Sequence, residues 1–320
     1  MVFGMTVRKM AAGKSDRGFS QVKKDFRLHK YLYIMILPVI LYYLVFSYLP
    51  MAGILMAFQD FNMAKGVWAS PWVGLQNFLD FFNSPYFTRV TFNTIILNVY
   101  GLAFVFPIPV LFAILLNELS GKTFKRMVQT VSYLPFFVSI VVIAGIIKDF
   151  TSQSGVITYL VKWFTGSSGN INLLTRPEYF RPIYILSEIW QFTGFNSIIF
   201  ISALSSINPE LYEAATIDGA GRFRRVMHIT LPGLAPTITI LFILQLGNIM
   251  NVGFDKAFLL YNPSIYSTSD VIATYVYRSG LSEGRISYST AVGLFNTLVN
   301  FIVLVLANRI SGKVSDTSLF

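Results

Sequence analysis

The chain has 320 residues, of which 54% are apolar and only 12% are charged, and its mean hydropathy is +0.59. Soluble domains carry about 25% charged residues, so this composition excludes an ordinary soluble protein. Long apolar stretches without charge recur along the sequence and indicate a helical protein that crosses a membrane several times. A transmembrane β-barrel would instead show short segments of alternating polarity, and the sequence has none.

Residue usage excludes several other classes of protein. The chain contains no cysteine, which rules out disulfides and thiolate metal sites. Its two histidines, His29 and His228, are too few and too far apart in the sequence to predict a metal site. The net charge of +10 requires no nucleic-acid partner, because basic residues in short cytoplasmic segments account for it.

Six charge-poor segments are long enough to cross a bilayer, which takes about 20 residues each. We therefore predict an all-α fold, a single bundle of six transmembrane helices between residues 31 and 308. The first span is expected to end near Pro50, and the fourth contains one carboxylate, Glu188. In chain order, the predicted spans lie within residues 31–59, 90–117, 127–147, 182–206, 232–250 and 286–308.

The distribution of Lys and Arg predicts the orientation of these spans. With the amino terminus inside, the inner segments carry 16 basic residues in 77 positions and the outer segments carry 9 in 99. Because cytoplasmic loops are enriched in Lys and Arg, we expect both termini to be cytoplasmic, the first as an uncleaved tail. The inner segments are residues 1–30, 118–126, 206–231 and 309–320, and the outer segments are 60–89, 148–181 and 251–285.

The polar segment between the fourth and fifth spans, residues 206–231, carries a spaced pattern. Asn208 followed by Pro209 predicts the N-cap and first residue of a short helix. Two alanines on that helix allow close approach by a partner surface, the glycines that follow let the chain turn, and a proline fits the first turn of the fifth span. The pattern reads E-A-A-x3-G-x9-I-x-L-P and is formed by Glu213, Ala214, Ala215, Gly219, Ile229, Leu231 and Pro232.

Polar side chains inside the fourth and fifth spans are candidates for a solute path, because polar groups at membrane depth are costly. Amides donate and accept hydrogen bonds, which suits the recognition of hydroxyl groups. Hydrogen bonding between helices is the alternative use of such residues. We expect Glu188, Gln191, Gly194 and Phe195 to share one helix face. The candidates are Glu188, Trp190, Gln191, Gly194 and Asn196 in the fourth span, and Gln245, Asn248, Asn251 and Asp255 in and after the fifth.

The sequence predicts no catalytic site. Two G-K-[ST] triplets, at residues 13–15 and 121–123, lack the earlier glycine and the preceding strand that a phosphate-binding loop requires. No buried nucleophile with its base is predicted either. We therefore expect the chain to have no enzyme activity and no cofactor of its own, so that energy for any transport comes from outside it.

The spaced pattern of the 206–231 segment resembles the cytoplasmic coupling loop of ABC-importer permeases, and the likeness covers nearly the whole chain from about residue 30. It is similar to the carbohydrate branch of these permeases, to which the maltose importer belongs, and most similar to permeases for oligosaccharides from polysaccharides such as alginate or pectin. The residues that carry the resemblance are Ile189-Trp190, Gly194-Phe195, the runs 203–220 and 72–78, Phe254-Asp255, and Tyr261-Asn262-Pro263, where this chain lacks the usual double glycine.

The resemblance implies a type I importer permease in a bacterial inner membrane, embedded in lipid. It implies four kinds of partner: a second, homologous permease, two ATPase subunits that bind ATP and Mg, an extracytoplasmic solute-binding protein, and an oligosaccharide substrate. The helix around Glu213 would sit in a groove of the ATPase. By the same resemblance, the coupling residues are Glu213, Ala214, Ala215, Asp218, Gly219, Ile229, Leu231 and Pro232.

Two alternatives remain open from the sequence. A permease of the same machinery for another solute, such as an amino acid or a polyamine, would carry the same loop. A self-contained secondary carrier or membrane enzyme would work without ATP, but the sequence predicts no buried charge pairs, which argues against it.

Overall fold

The computed structural model describes residues 28–166, 169 and 171–314. Contacts divide this part of the chain into two units, residues 28–54 and residues 55–314. The predictions for the first 27 residues, including the triplet at 13–15, and for residues 315–320 lie outside the described residues.

The first unit is helical. Helix α1, Lys30–Tyr43, is followed by a π-helical turn, Leu44–Tyr48, and by a 3-10 segment, Leu49–Phe58, which continues into the second unit. The prediction that the first span ends near Pro50 is therefore wrong. Pro50 is the second residue of the 3-10 segment and directly follows the π-helical turn.

The second unit consists of helices joined by turns, and its described residues form no β-strand; a single antiparallel bridge joins Gln59 and Trp72. Its helices are α2 Gly66–Ala69, α3 Gln76–Phe82, α4 Phe87–Tyr100, α5 Pro107–Asn117, α6 Lys122–Tyr133, α7 Ile140–Thr151, α8 Val156–Thr165, α9 Pro177–Ser205, α10 Pro209–Ile217, α11 Arg222–Arg225, α12 Leu231–Leu246, α13 Phe254–Leu260, α14 Tyr266–Ser269, α15 Ile272–Tyr277 and α16 Ile286–Val314.

The all-α architecture is as predicted, but the count of six spans is not confirmed. Within the described residues, five helical segments are long and apolar enough to cross a membrane: Lys30–Phe58, Phe87–Asn117, Ile140–Thr165, Arg222–Leu246 and Ile286–Gly312. Helix α9, which contains the predicted fourth span, has 29 residues and sufficient length but is not among these five. Its charged residues, Glu178, Arg181 and Glu188, lower its hydropathy.

The predicted third span, residues 127–147, is wrong as a single helix. Helix α6 ends at Tyr133, a 3-10 turn follows at Leu134–Phe137, and Val138 and Ser139 are extended before α7 begins. Pro135 lies in this break, and a proline cannot donate the hydrogen bond that would continue the helix. The apolar span shifts to Ile140–Thr165, which itself turns between α7 and α8.

Helix α9 is the central element of the second unit, because it packs along α5 and also against α4, α6, α12 and α14. Near its carboxyl end, Phe200 and Leu204 are buried with Val110 of α5 and Leu234 of α12. Near its start, Phe180 and Tyr184 belong to a cluster that also takes residues from α4, α7 and α13. Burial of these apolar side chains in a close-packed interior holds the helices in place.

A buried carboxylate, Asp270, joins three parts of the second unit. Its Oδ2 accepts hydrogen bonds from Arg89 Nη2 of α4 at 2.7 Å and from Arg278 Nη2 at 2.8 Å, and its side chain is fully buried. Asn93 of α4 donates to the backbone oxygen of Asp270 at 3.1 Å and accepts from Arg181 Nη2 of α9 at 2.9 Å. This network, the Asp270 cluster, fastens the 262–278 segment to α4 and α9.

Replacing Asp270 with Asn should destabilise the protein by about 3 kcal/mol or more, because it leaves two arginines without their buried counter-charge. Thermal unfolding of the purified protein in detergent measures the effect. Asp80 is the matched control: it is an exposed carboxylate that accepts a bond from Gln76 one turn away. D80N should unfold at nearly the wild-type temperature, and equal stability of D270N and D80N would contradict the prediction.

Candidate functional site

Two adjoining cavities, with volumes of about 370 and 120 Å³, lie between α9, α12 and the segment that runs from the end of α4 into α5. Glu188 and Gln245 line both cavities, together with Gly101 and Val105 of the π-helical turn after α4. The polar residues of the larger cavity also include Asn196 and Asn248, and those of the smaller include Asn98 and Asn251. The cavity walls therefore combine amides with apolar side chains, which suits a ligand rich in hydroxyl groups.

Glu188 forms an ion pair with Lys256 of α13 through its Oε1. The Lys256 side chain is only 3% exposed and the Glu188 side chain 22%. The ammonium also lies 5.7 Å from the ring centre of Tyr184 and 5.3 Å from that of Phe192, where cation–π attraction stabilises it. Burial lowers the pKa of Lys256, and the charge of Glu188 opposes that shift.

The prediction that the chain has no buried charge pair is therefore wrong. Lys256 follows the fifth predicted span in sequence, but α12 ends at Leu246 and the chain folds back so that α13 places Lys256 against α9. Lys256 and Glu188 are 68 positions apart, and no local pattern in the sequence signals their contact.

The amides after α12 interact with one another. Asn251 Nδ2 donates to Asn248 Oδ1 at 3.2 Å, and Asn296 Nδ2 of α16 donates to Asn251 Oδ1 at 2.8 Å. Residues 247–250 form a turn after Leu246, so these amides do not continue a helical stripe. Gln245, Asn248 and Asn251 nevertheless reach the same pair of cavities.

Other candidates from the sequence lie away from the cavities. On α9, the residues that line the larger cavity include Glu188, Phe192 and Asn196, which are spaced one helical turn apart. The predicted face combined Glu188 with Gln191, Gly194 and Phe195, and these last three do not line the cavity. Gln191 is buried, whereas Trp190 and Asp255 are exposed and line neither cavity.

Gly194 has a packing role, because α6 approaches α9 at this point. A β-carbon at position 194 would lie 2.1 Å from the backbone oxygen of Ser132. We expect Gly194→Ala to force the two helices apart and to destabilise the protein by about 1–3 kcal/mol, measured by thermal unfolding. Gly145 within α7 has nothing within 4 Å of its β-carbon position, so G145A is the control and should not destabilise. Similar unfolding of both variants would argue against this role.

Local signals define helix α10 at both ends. The Asn208 side chain accepts from the backbone N–H of Glu210 at 3.0 Å, and Pro209 is the first helical residue, which confirms the predicted start. At the end, Gly219 has φ +75°, its N–H donates to Thr216 O, and the Ala220 N–H donates to Ala215 O. These two bonds and the left-handed glycine form a Schellman motif.

Two hydrogen bonds attach α10 to the helical segment that follows it. The hydroxyl groups of Tyr212 and Thr230 are 3.0 Å apart, and Arg225 Nη1 donates to Thr216 Oγ1 at 3.1 Å. The π-helical turn Val226–Thr230 joins α11 to α12, so Pro232 lies within a continuous helical segment and not at a free helix start. The wider π turn accommodates the missing donor of the proline.

The outer face of α10 is open to a partner. Glu213, Ala214, Asp218 and Gly219 are exposed, and the Ile217 side chain is 87% exposed. The remaining residues of the spaced pattern differ in exposure: Ala215, Ile229 and Leu231 are half-buried, and Pro232 is exposed.

The candidate membrane helices, the polar cavities and the exposed short helix between α9 and α12 are features expected of a transport permease. Residues 105–315 match the family of binding-protein-dependent transport system inner membrane components, and the chain belongs to this family. It is therefore an inner-membrane permease subunit, which confirms the resemblance seen in the sequence.

Individual relatives agree with the family. The chain is 43% identical to protein LplB of Bacillus subtilis (strain 168), over 97% of this chain and 96% of the relative. It is also 43% identical to the polygalacturonan/rhamnogalacturonan transport system permease protein YteP of the same organism, over 91% and 90%. A solved structure of a bacterial ABC transporter involved in the import of the acidic polysaccharide alginate matches with a TM-score of 0.85 and 42% identity, over 92% of this chain and 99% of that one.

Proposed function

We propose that the chain is a permease subunit of an ATP-driven ABC importer for oligosaccharides, such as fragments of alginate or pectin. The amide-lined cavities beside Glu188 carry this proposal, because they offer donors and acceptors to sugar hydroxyls. The relatives support it: YteP is a polygalacturonan/rhamnogalacturonan transport system permease protein, and the solved transporter is involved in the import of the acidic polysaccharide alginate.

The proposed assembly contains a second, homologous permease that completes the path, a solute-binding protein on the outer side, and two ATPase subunits. ATP and Mg would bind to the ATPases and not to this chain, and the complex would hydrolyse ATP. Both termini and the 206–231 loop would lie in the cytoplasm. The exposed face of α10 would seat against an ATPase subunit and pass its movement to α9 and α12, which line the path.

Gly219 offers a sharp test of this coupling, because its left-handed backbone costs an alanine about 1–2 kcal/mol although the space around it is empty. In proteoliposomes with the assembled importer and its binding protein, we expect Gly219→Ala to lower oligosaccharide uptake per ATP hydrolysed by roughly fivefold or more. Glu213→Ala should uncouple hydrolysis from uptake in the same way.

Gly221→Ala is the matched control, since Gly221 has an ordinary φ of −65° and nothing within 4 Å of its β-carbon position. This variant should couple normally. Normal uptake per ATP in both G219A and E213A would count against the coupling role of α10. Transport by the purified chain alone, without ATP, would favour a secondary carrier instead.

A further inference from the structure

The charge of the two cavities depends on one ion pair. Among the described residues that line them, Glu188 is the only side chain that is charged at neutral pH, and the other polar lining residues are neutral amides and the hydroxyl of Tyr184. Lys256, which forms an ion pair with Glu188, is almost fully buried and lines neither cavity. The pair as a whole therefore gives the cavities a net charge of zero.

Stability alone does not account for a buried ion pair at this position. Removing two charges from water is costly, and an apolar pair of similar volume is often as stable or more so. Lys256 is also held by the faces of the Tyr184 and Phe192 rings, so its ammonium is fixed next to the cavity wall. Glu188 meanwhile stays partly open to a solute.

The electrostatic interaction of a solute with the cavity wall depends on both charges, because Glu188 and Lys256 are in direct contact. Without Lys256, the carboxylate of Glu188 would repel any sugar unit that carries a carboxylate, and repulsion between like charges is strong in a partly desolvated cavity. Without Glu188, the ammonium of Lys256 would attract such a unit. With both present, a carboxylated sugar and a neutral sugar meet a wall of no net charge.

We infer that Lys256 is a specificity-determining residue that admits carboxylated oligosaccharides to the path by neutralising Glu188. This inference rests on the proposed function, since it names the substrate class that the same cavities accept. Lys256 acts through Glu188 and does not itself line the cavities, so it is a positioning residue whose effect appears in the preference between solutes.

The test compares two matched solutes in one preparation of the assembled importer in proteoliposomes. The probes are α-1,4-linked trigalacturonate and its carboxyl-reduced form, in which each carboxylate is replaced by a hydroxymethyl group. The readout is the uptake rate of the acidic trisaccharide divided by that of the neutral one. A variant that yields less folded protein lowers both rates equally, so this ratio does not change. The binding protein is the same throughout, so its own preference cancels when variants are compared with the wild type.

Lys256→Met should lower this ratio about tenfold, and Glu188→Gln should raise it about tenfold, because each leaves one uncompensated charge beside the solute. The double variant E188Q/K256M should return to the wild-type ratio. Glu178→Gln is the matched control: Glu178 lies on the same helix in an exposed pair with Arg176 and lines neither cavity, so the ratio should not change.

Two results would overturn the inference, and they are distinguishable. If uptake persists and the ratio is the same in the wild type, K256M and E188Q, then Lys256 does not set the preference, while the proposed function stands. If the wild-type importer takes up neither trisaccharide in the presence of ATP, the inference fails, and the proposed function fails for oligosaccharides derived from pectin.

Discussion

In surroundings as apolar as these, a buried polar or charged group must find its partner inside the protein, and this constraint shapes the region between the fifth and sixth predicted spans. Asp270 binds two arginines, and Glu188 binds Lys256. These pairs hold the 251–278 segment against α4 and α9, where it closes one end of the smaller cavity through Val252 and Gly253. The smaller cavity is thus lined in part by a segment that ion pairs hold against the helices.

Helix α9 connects the parts that the proposed mechanism needs. It runs from Pro177 to Ser205, about 43 Å, and contains Arg181 of the Asp270 cluster and Glu188 at the cavities. Only three residues separate its end from α10. Tyr212 of α10 is hydrogen-bonded to Thr230 just before α12, so in the proposed mechanism a movement of α10 would pass to the two helices that line the larger cavity. This geometry suits a permease that is moved by an external ATPase.

Structural features that depend on residues close together in the sequence can be predicted from it, and features that depend on distant residues cannot. Helix α10 is predictable because its signals are local: the Asn208 cap, Pro209 and the left-handed Gly219 lie within twelve residues. The break at Pro135 shows why hydropathy alone misplaces a span, since the apolar run continues while the helix stops. The Glu188–Lys256 pair and the cavity face of α9 follow from tertiary packing, which no spacing rule encodes. The roles assigned to the path and coupling residues stay predictions.

The central claim, that α10 contacts an ATPase subunit in the cytoplasm, has a direct test because the chain contains no cysteine. A single cysteine at Ile217, which is 87% exposed on α10, can be cross-linked in the assembled importer. We expect I217C to cross-link to the ATPase subunit and the cross-link to block ATP-driven uptake. A membrane-impermeant maleimide should reach M63C, an exposed position in the predicted outer segment 60–89, but not I217C, from outside the cell. Labelling of I217C from outside, with no cross-link to the ATPase, would contradict it.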